Sequence, residues 1–181
     1  ELSYKDKNWD IQNLKFDAVN LIVGKNSVGK SRTLATIDLL YKMITQKRDL
    51  NWGGKWHIKF ENYKREIIDY QFSTSQIREG VTYEKIFINN ELVLKRRDRF
   101  NASIKSHISS KWIEINPPPD KLILHIRRDI KEYPFLENII SWAEHSYGFK
   151  FGNLSPYVYL HKQDYDLLAT IEDIPALLSA L

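Results

Sequence analysis

Large apolar residues alternate with polar ones over Trp9-Asp10-Ile11-Gln12-Asn13-Leu14-Lys15-Phe16, the period of two that a half-buried strand shows. A different pattern follows. Ala18 to Val23 is an apolar run broken only by Asn20, which predicts a short parallel strand covered on both faces. From Gly29 to Gln46 the period changes again, with Leu34, Ile37, Leu40, Tyr41 and Ile44 at helical spacing. Leu50-Asn51-Trp52-Gly53-Gly54 is a turn cluster that ends this helix.

Alternation returns over Trp56–Phe60 and Ile67–Phe72, two antiparallel strands separated by Glu61-Asn62-Tyr63-Lys64-Arg65. The clearest hairpin is Tyr83–Ile88, the pair Asn89-Asn90, then Glu91–Arg97, because asparagine tolerates the left-handed backbone of a tight turn. Residues 56–97 therefore read as a meander. Asp98–Ser110 is polar and without a period, so a loop or a short helix is expected. Lys111–Ile115 reads as a strand, and Pro117-Pro118-Pro119 forces an extended segment.

Lys121–Ile126 predicts a buried strand ending in Arg127-Arg128-Asp129, whose arginine pair suits either a phosphate contact or a surface pair. Pro134 fits the first turn of a helix whose apolar face is Leu136, Ile139, Ile140, Ala143 and Tyr147, stopped by Gly148. Tyr157–Leu160 reads as a short strand and Asp164–Leu181 as helical, with a new helix starting near Pro175.

Composition narrows the class. A chain of 181 residues with 43% hydrophobic and 28% charged residues suits one soluble globular domain. The absence of cysteine excludes a disulfide framework and a thiolate metal site, and fits a cytoplasmic setting. No run approaches the roughly 18 apolar residues of a membrane span, and the N-terminus does not read as a signal peptide. The net charge of +4 permits contact with nucleic acid, but the basic residues are spread along the whole chain. The chain begins at Glu1 without an initiator methionine and ends inside an apolar run, so a piece of a longer protein is expected.

The candidate chemistry sits between the doubly covered strand and the first helix. Gly24, Gly29, Lys30 and Ser31 stand at the spacing G-x-x-x-x-G-K-S of a phosphate-binding P-loop. Glycines at those two places let successive N–H groups converge on a phosphate, and the loop opens a helix whose positive end faces the anion. On this reading Gly24, Lys25, Asn26, Ser27, Val28, Gly29, Lys30, Ser31 and Arg32 bind nucleotide. Lys30 is the catalytic candidate, reaching the β- and γ-phosphates, and Ser31 is the ligand of Mg²⁺. The alternative is a glycine-containing surface loop with a solvated lysine.

These residues carry a resemblance. Asn20-Leu21-Ile22-Val23, the loop with Asn26 after Lys25, and Ser31-Arg32-Thr33-Leu34 resemble the N-terminal lobe of an ABC/SMC-like AAA family ATPase. In style it is closest to bacterial anti-phage defence ATPases of the Septu and retron type, and more distantly to RecF and OLD proteins. Val81–Arg97 is similar to a pattern of those defence ATPases, with Glu84 and Arg97 as its charged members; a solvated or paired charge on an exposed hairpin face is the bland reading of both. The resemblance implies an α/β P-loop NTPase lobe with an antiparallel β-meander after the P-loop helix, and an incomplete fold. It makes residues 1–50 strand, loop and helix, 51–115 an antiparallel β subdomain, and 116–181 a mixed α/β and helical end.

By the same resemblance the cofactors are ATP and Mg²⁺, and the heads form a homo-oligomer around nucleotide. The partner would be an effector, with a nuclease in anti-phage defence as the candidate class. A stand-alone P-loop kinase or transferase, and a non-hydrolysing nucleotide-binding module, are the competing functions. Tyr4, Trp9 and Phe16 could stack on adenine, but core or edge packing is the reading that base rates favour for each. The second acidic motif is missing: Asp69 follows only two apolar residues, Glu172-Asp173 sits in a helical stretch, and no signature sequence occurs. Gln163 is the one candidate sensor of γ-phosphate. ATP hydrolysis is therefore expected of a longer chain and not of these residues alone. The histidines at 57, 107, 125, 145 and 161 show no metal-ligand spacing.

Overall fold

The structure is a computed structural model that describes residues 1–17, 19–50, 53–75 and 80–146. They lie within one compact unit, Glu1–Tyr147. Eight strands form one sheet: β1 (Leu2–Lys5), β2 (Asp10–Leu14), β3 (Gly54–Glu61), β4 (Ile67–Ser75), β5 (Gly80–Ile88), β6 (Glu91–Arg96), β7 (Ala102–Lys105) and β8 (Trp112–Ile115). Their spatial order is β2-β1-β3-β4-β5-β6-β7-β8, and each neighbouring pair is antiparallel. Among the described residues three helical segments join it: α1 (Lys30–Ile44), α2 (Ile123–Ile126) and α3 (Pro134–Glu144). The chain is mixed α/β with an antiparallel sheet. No helix among the described residues is long and apolar enough to cross a membrane.

Period-two patterning builds the core. On β4, Ile68, Tyr70 and Phe72 are buried while Asp69, Gln71 and Ser73 take the other face. Across the sheet Ile58 faces Tyr70, Tyr70 faces Ile86, Ile86 faces Leu94 and Leu94 faces Ile104, a continuous apolar row. Leu40, Met43 and Ile44 of α1 and Leu136, Ile139 and Ile140 of α3 belong to the same core. Trp142 of α3 stacks on Phe60 of β3 at 5.3 Å. Full burial of each such side chain contributes about 1.5–3 kcal/mol.

Local signals explain the boundaries. Asn89 and Asn90 have φ of 49° and 69°, the pair of positive values that a two-residue hairpin needs. The meander and the hairpin stand where the alternation predicts them. Gly80 opens β5 at φ +72°, and a Cβ there would lie 2.0 Å from the Pro119 carbonyl oxygen. The Pro117–Pro119 segment can therefore lie directly against the strand, with the Val81 N–H donating to that oxygen at 2.7 Å.

Three expectations are corrected. Residues 19–24 form no strand: Val19, Leu21 and Val23 are 89%, 85% and 75% exposed. A strand covered on both faces needs a neighbour on each side, and the described sheet ends at β2 on this flank. Lys121–Ile126 contains a helical turn instead of a strand. Leu122, Ile123 and Leu124 are all buried, and where burial is all-round no period separates strand from helix. Ala102–Lys105, inside the stretch read as loop or short helix, is β7, recruited by pairing with β6. The elements expected at Tyr157–Leu160 and Asp164–Leu181 lie outside the described residues.

Candidate functional site

Helix α1 is anchored by its rear half, where Thr36, Leu40, Tyr41, Met43 and Ile44 are buried. Its front stands in solvent: Gly24–Val28, Ser31 and Arg32 are exposed, and Lys30 is half-buried. Gly29 is the N-cap residue, left-handed at φ 96°, a conformation available to glycine at little cost. No side chain caps this end and no acid lies in the first turn, so the leading N–H groups keep their positive end uncompensated. The first intrahelical bond runs from Thr33 N–H to the Gly29 carbonyl at 2.8 Å, and Thr33 Oγ1 donates to the same oxygen at 3.1 Å.

Lys30 is fixed in the middle of this arrangement. Its ammonium donates to the carbonyl oxygens of Gly24 at 2.7 Å and Lys25 at 2.6 Å, so the loop closes on the charge at its own centre. Three ammonium hydrogens allow a further acceptor after those two. Asn26 and Ser27 make the turn between them, Ser27 at φ 65°. Ser31, at the second helical position, presents an exposed hydroxyl suited to a Mg²⁺ that substrate phosphates also ligate.

Arg32 points elsewhere. Its guanidinium lies over the Trp9 ring at 4.9 Å and 3.7 Å from Asp6 Oδ2. An exposed cation–π contact contributes about 0.5–1 kcal/mol and an exposed ion pair about 0–1 kcal/mol, so both tethers are weak. Asp6 does not depend on them, because it accepts from Tyr4 OH at 2.8 Å and the Asn8 N–H at 2.6 Å. Burial alone would raise its carboxyl; these hydrogen bonds and the Arg32 charge outweigh that and hold it below the usual value. Trp9 also packs on the loop, since a Cβ on Gly29 would lie 2.4 Å from the Trp9 ring.

The stacking candidates separate accordingly. Tyr4 is core, 4.1 Å from the Trp56 ring centre, Phe16 is exposed, and Trp9 is the aromatic beside the loop. Asp69 sits on the polar face of β4, its Oδ1 3.1 Å from Nε2 of His57. Arg128 forms a two-point pair with Glu137 at 2.7 and 3.0 Å, engaged within the fold. Arg97 pairs with Glu114 at 3.3 Å near the surface. Gln163, Glu172 and Asp173 lie outside the described residues. A hollow of about 720 Å³ on the polar sheet face, around Lys55, His57, Gln71 and Tyr83, includes none of residues 24–32.

The reading of Glu84 as an exposed hairpin charge is corrected. Glu84 is fully buried and accepts from Ile123 N–H at 3.0 and 3.1 Å and from Tyr70 OH at 3.0 Å. Burial pushes its carboxyl up to about 7, against the lowering effect of these bonds and of Arg96 at 3.7 Å. Arg96 in turn donates to the carbonyls of Asp98, Arg99, Pro118 and Lys121, so the pair ties the hairpin to the segment carrying α2. Sequence carried half a signal: Glu84 is in phase with Ile86 and Ile88. Counting back from the turn, however, sets it opposite Lys95, and an irregularity in the β5–β6 register brings Arg96 there instead.

His125 closes the far end of α1, its Nε2 3.1 Å from the Ile44 carbonyl oxygen, as the donor of a neutral ring. Burial holds its pKa down at about 4. No protein-family model matches this chain, and neither a curated protein nor a solved structure is significantly similar to it.

Proposed function

We propose that residues 24–32 seat the polyphosphate of ATP-Mg²⁺ and that the chain is the ATP-binding lobe of an SMC-like ATPase, as its resemblance implies. The observation that supports this most is the Lys30 ammonium drawn by the Gly24 and Lys25 carbonyls to the mouth of an uncapped helix end free of acids. The loop thus offers N–H donors, one central cation and a metal-binding hydroxyl, the three things a magnesium-bound triphosphate requires. Dimerisation around nucleotide and control of an effector, a nuclease in anti-phage defence, complete the reading by resemblance alone. A free-standing kinase gains no support, because the strands after α1 are antiparallel where such enzymes continue with parallel βα units.

Ser31→Ala tests the seat. It should weaken ATP binding in the presence of Mg²⁺ while leaving the Mg²⁺-free affinity in place. Equal loss with and without the metal would mean that Ser31 does not act through Mg²⁺, and no loss in either condition would remove it from the site.

A further inference from the structure

Arg32 is the one cation of the first helical turn that is not held by the loop, and its present partners are Trp9 and Asp6. Two features make this pairing exchangeable. The guanidinium side chain is about half exposed, at 48%. Asp6 and Trp9 both keep other contacts without it, Asp6 to Tyr4 and Asn8, and Trp9 to Gly29. Arg32 itself stands in the turn whose leading N–H groups have no intrahelical acceptor, where an anion would arrive. A guanidinium binds phosphate oxygens through two parallel, charge-assisted hydrogen bonds, a stronger interaction than either contact it makes now.

We propose that Arg32 leaves the Trp9 ring and Asp6 to bind the arriving polyphosphate, so that ligand binding is reported at the β1–β2 hairpin. This rests on the reading of the loop as a triphosphate seat. In the ligand-free state the stack ties the hairpin to α1 by three contacts: Arg32 on Trp9, Arg32 near Asp6, and Trp9 on Gly29. With polyphosphate bound only the Gly29 contact remains, one face of the Trp9 ring is uncovered, and the hairpin is held less firmly. Binding energy at the loop thereby becomes a change in a separate element.

The test compares the full chain with Trp9→Phe, Arg32→Ala and Arg32→Lys by intrinsic fluorescence and calorimetry, using ATP-Mg²⁺, inorganic triphosphate and adenosine as probes. The chain has five tryptophans, so subtracting the Trp9→Phe signal isolates Trp9. The expected result is a saturable change in Trp9 emission with ATP and with inorganic triphosphate, and none with adenosine. Arg32→Ala should start at the ligand-bound emission and not respond, although calorimetry still shows binding; Arg32→Lys should respond partly. Binding heat without a Trp9 change in the wild type, or an unchanged response in Arg32→Ala, overturns this proposal alone. Neither heat nor emission change in the wild type overturns the loop reading and this proposal with it.

Discussion

Strand β4 and the segment 19–23 are both built on apolar residues, yet the chain treats them oppositely. Ile68, Tyr70 and Phe72 of β4 are at most 1% exposed, whereas Val19, Leu21 and Val23 are at least 75% exposed. The difference lies in what each pattern asks for. An alternating strand needs one covered face and antiparallel neighbours, and hairpin connections supply these from adjacent sequence. A continuously apolar strand needs cover on both faces and neighbours reached by long crossovers. The described residues contain no such neighbour for 19–23.

The comparison breaks most sharply at the buried ion pair. Above pH 7, where Glu84 is ionised, Glu84→Leu leaves Arg96 charged and buried without its carboxylate, and should cost about 3–5 kcal/mol in urea unfolding. Adding Arg96→Met should recover much of that loss. No recovery would mean that the Arg96 bonds to the four carbonyls, more than the charge pairing, hold the α2 segment.

Truncation sharpens the contrast between the two stretches. Ile68→Ala should destabilise by about 2–5 kcal/mol, as large-to-small changes in a packed core do. Leu21→Ser should stay within about 0.5 kcal/mol, as exposed substitutions do, and should reduce self-association. A core-sized loss from Leu21→Ser, measured in the same urea titration, would mean that the segment is covered in solution.

What was readable in the sequence follows the same division. The meander, the Asn89-Asn90 turn, the strand at Lys111–Ile115, the helix after the loop and the helix at Pro134 were legible because each is set by local chemistry: alternation, left-handed asparagine, helical period, first-turn proline. The register irregularity between Ile86 and Phe87 was not, since nothing local announces it, and with it went the Glu84–Arg96 pairing. The helical turn at Ile123–Ile126 was not legible either, for want of a polar phase across the buried Leu122, Ile123 and Leu124. At the candidate site the loop residues were legible by spacing, while the turning of Arg32 onto Trp9 depended on a hairpin folding back over Gly29, a contact between residues 20 or more positions apart.

A smaller effect concerns pH. Burial raises Glu84 from 4.5 to about 7, so its contribution to stability is full below about 4.5 and lost as pH rises through 7. Burial lowers His125 from 6.5 to about 4, so its contribution is present above 6.5 and lost as pH falls through 4. Between 4.5 and 6.5 the two slopes oppose each other. Glu84→Gln should therefore expose the histidine slope, stability falling by up to about 1.4 kcal/mol per pH unit as pH drops through that window. His125→Gln should expose the reverse slope, and unchanged profiles in both variants would contradict these assignments.

The loop reading is tested most directly by calorimetric titration of ATP-Mg²⁺ into the wild-type chain and Lys30→Ala at matched ionic strength. The account predicts that the wild type binds and that Lys30→Ala binds roughly ten- to a hundredfold more weakly, the loss of a hydrogen bond to a charged group, with its unfolding midpoint unchanged. Equal affinity in the two proteins would contradict it, and would leave Gly24–Arg32 a surface turn whose lysine merely closes on its own backbone.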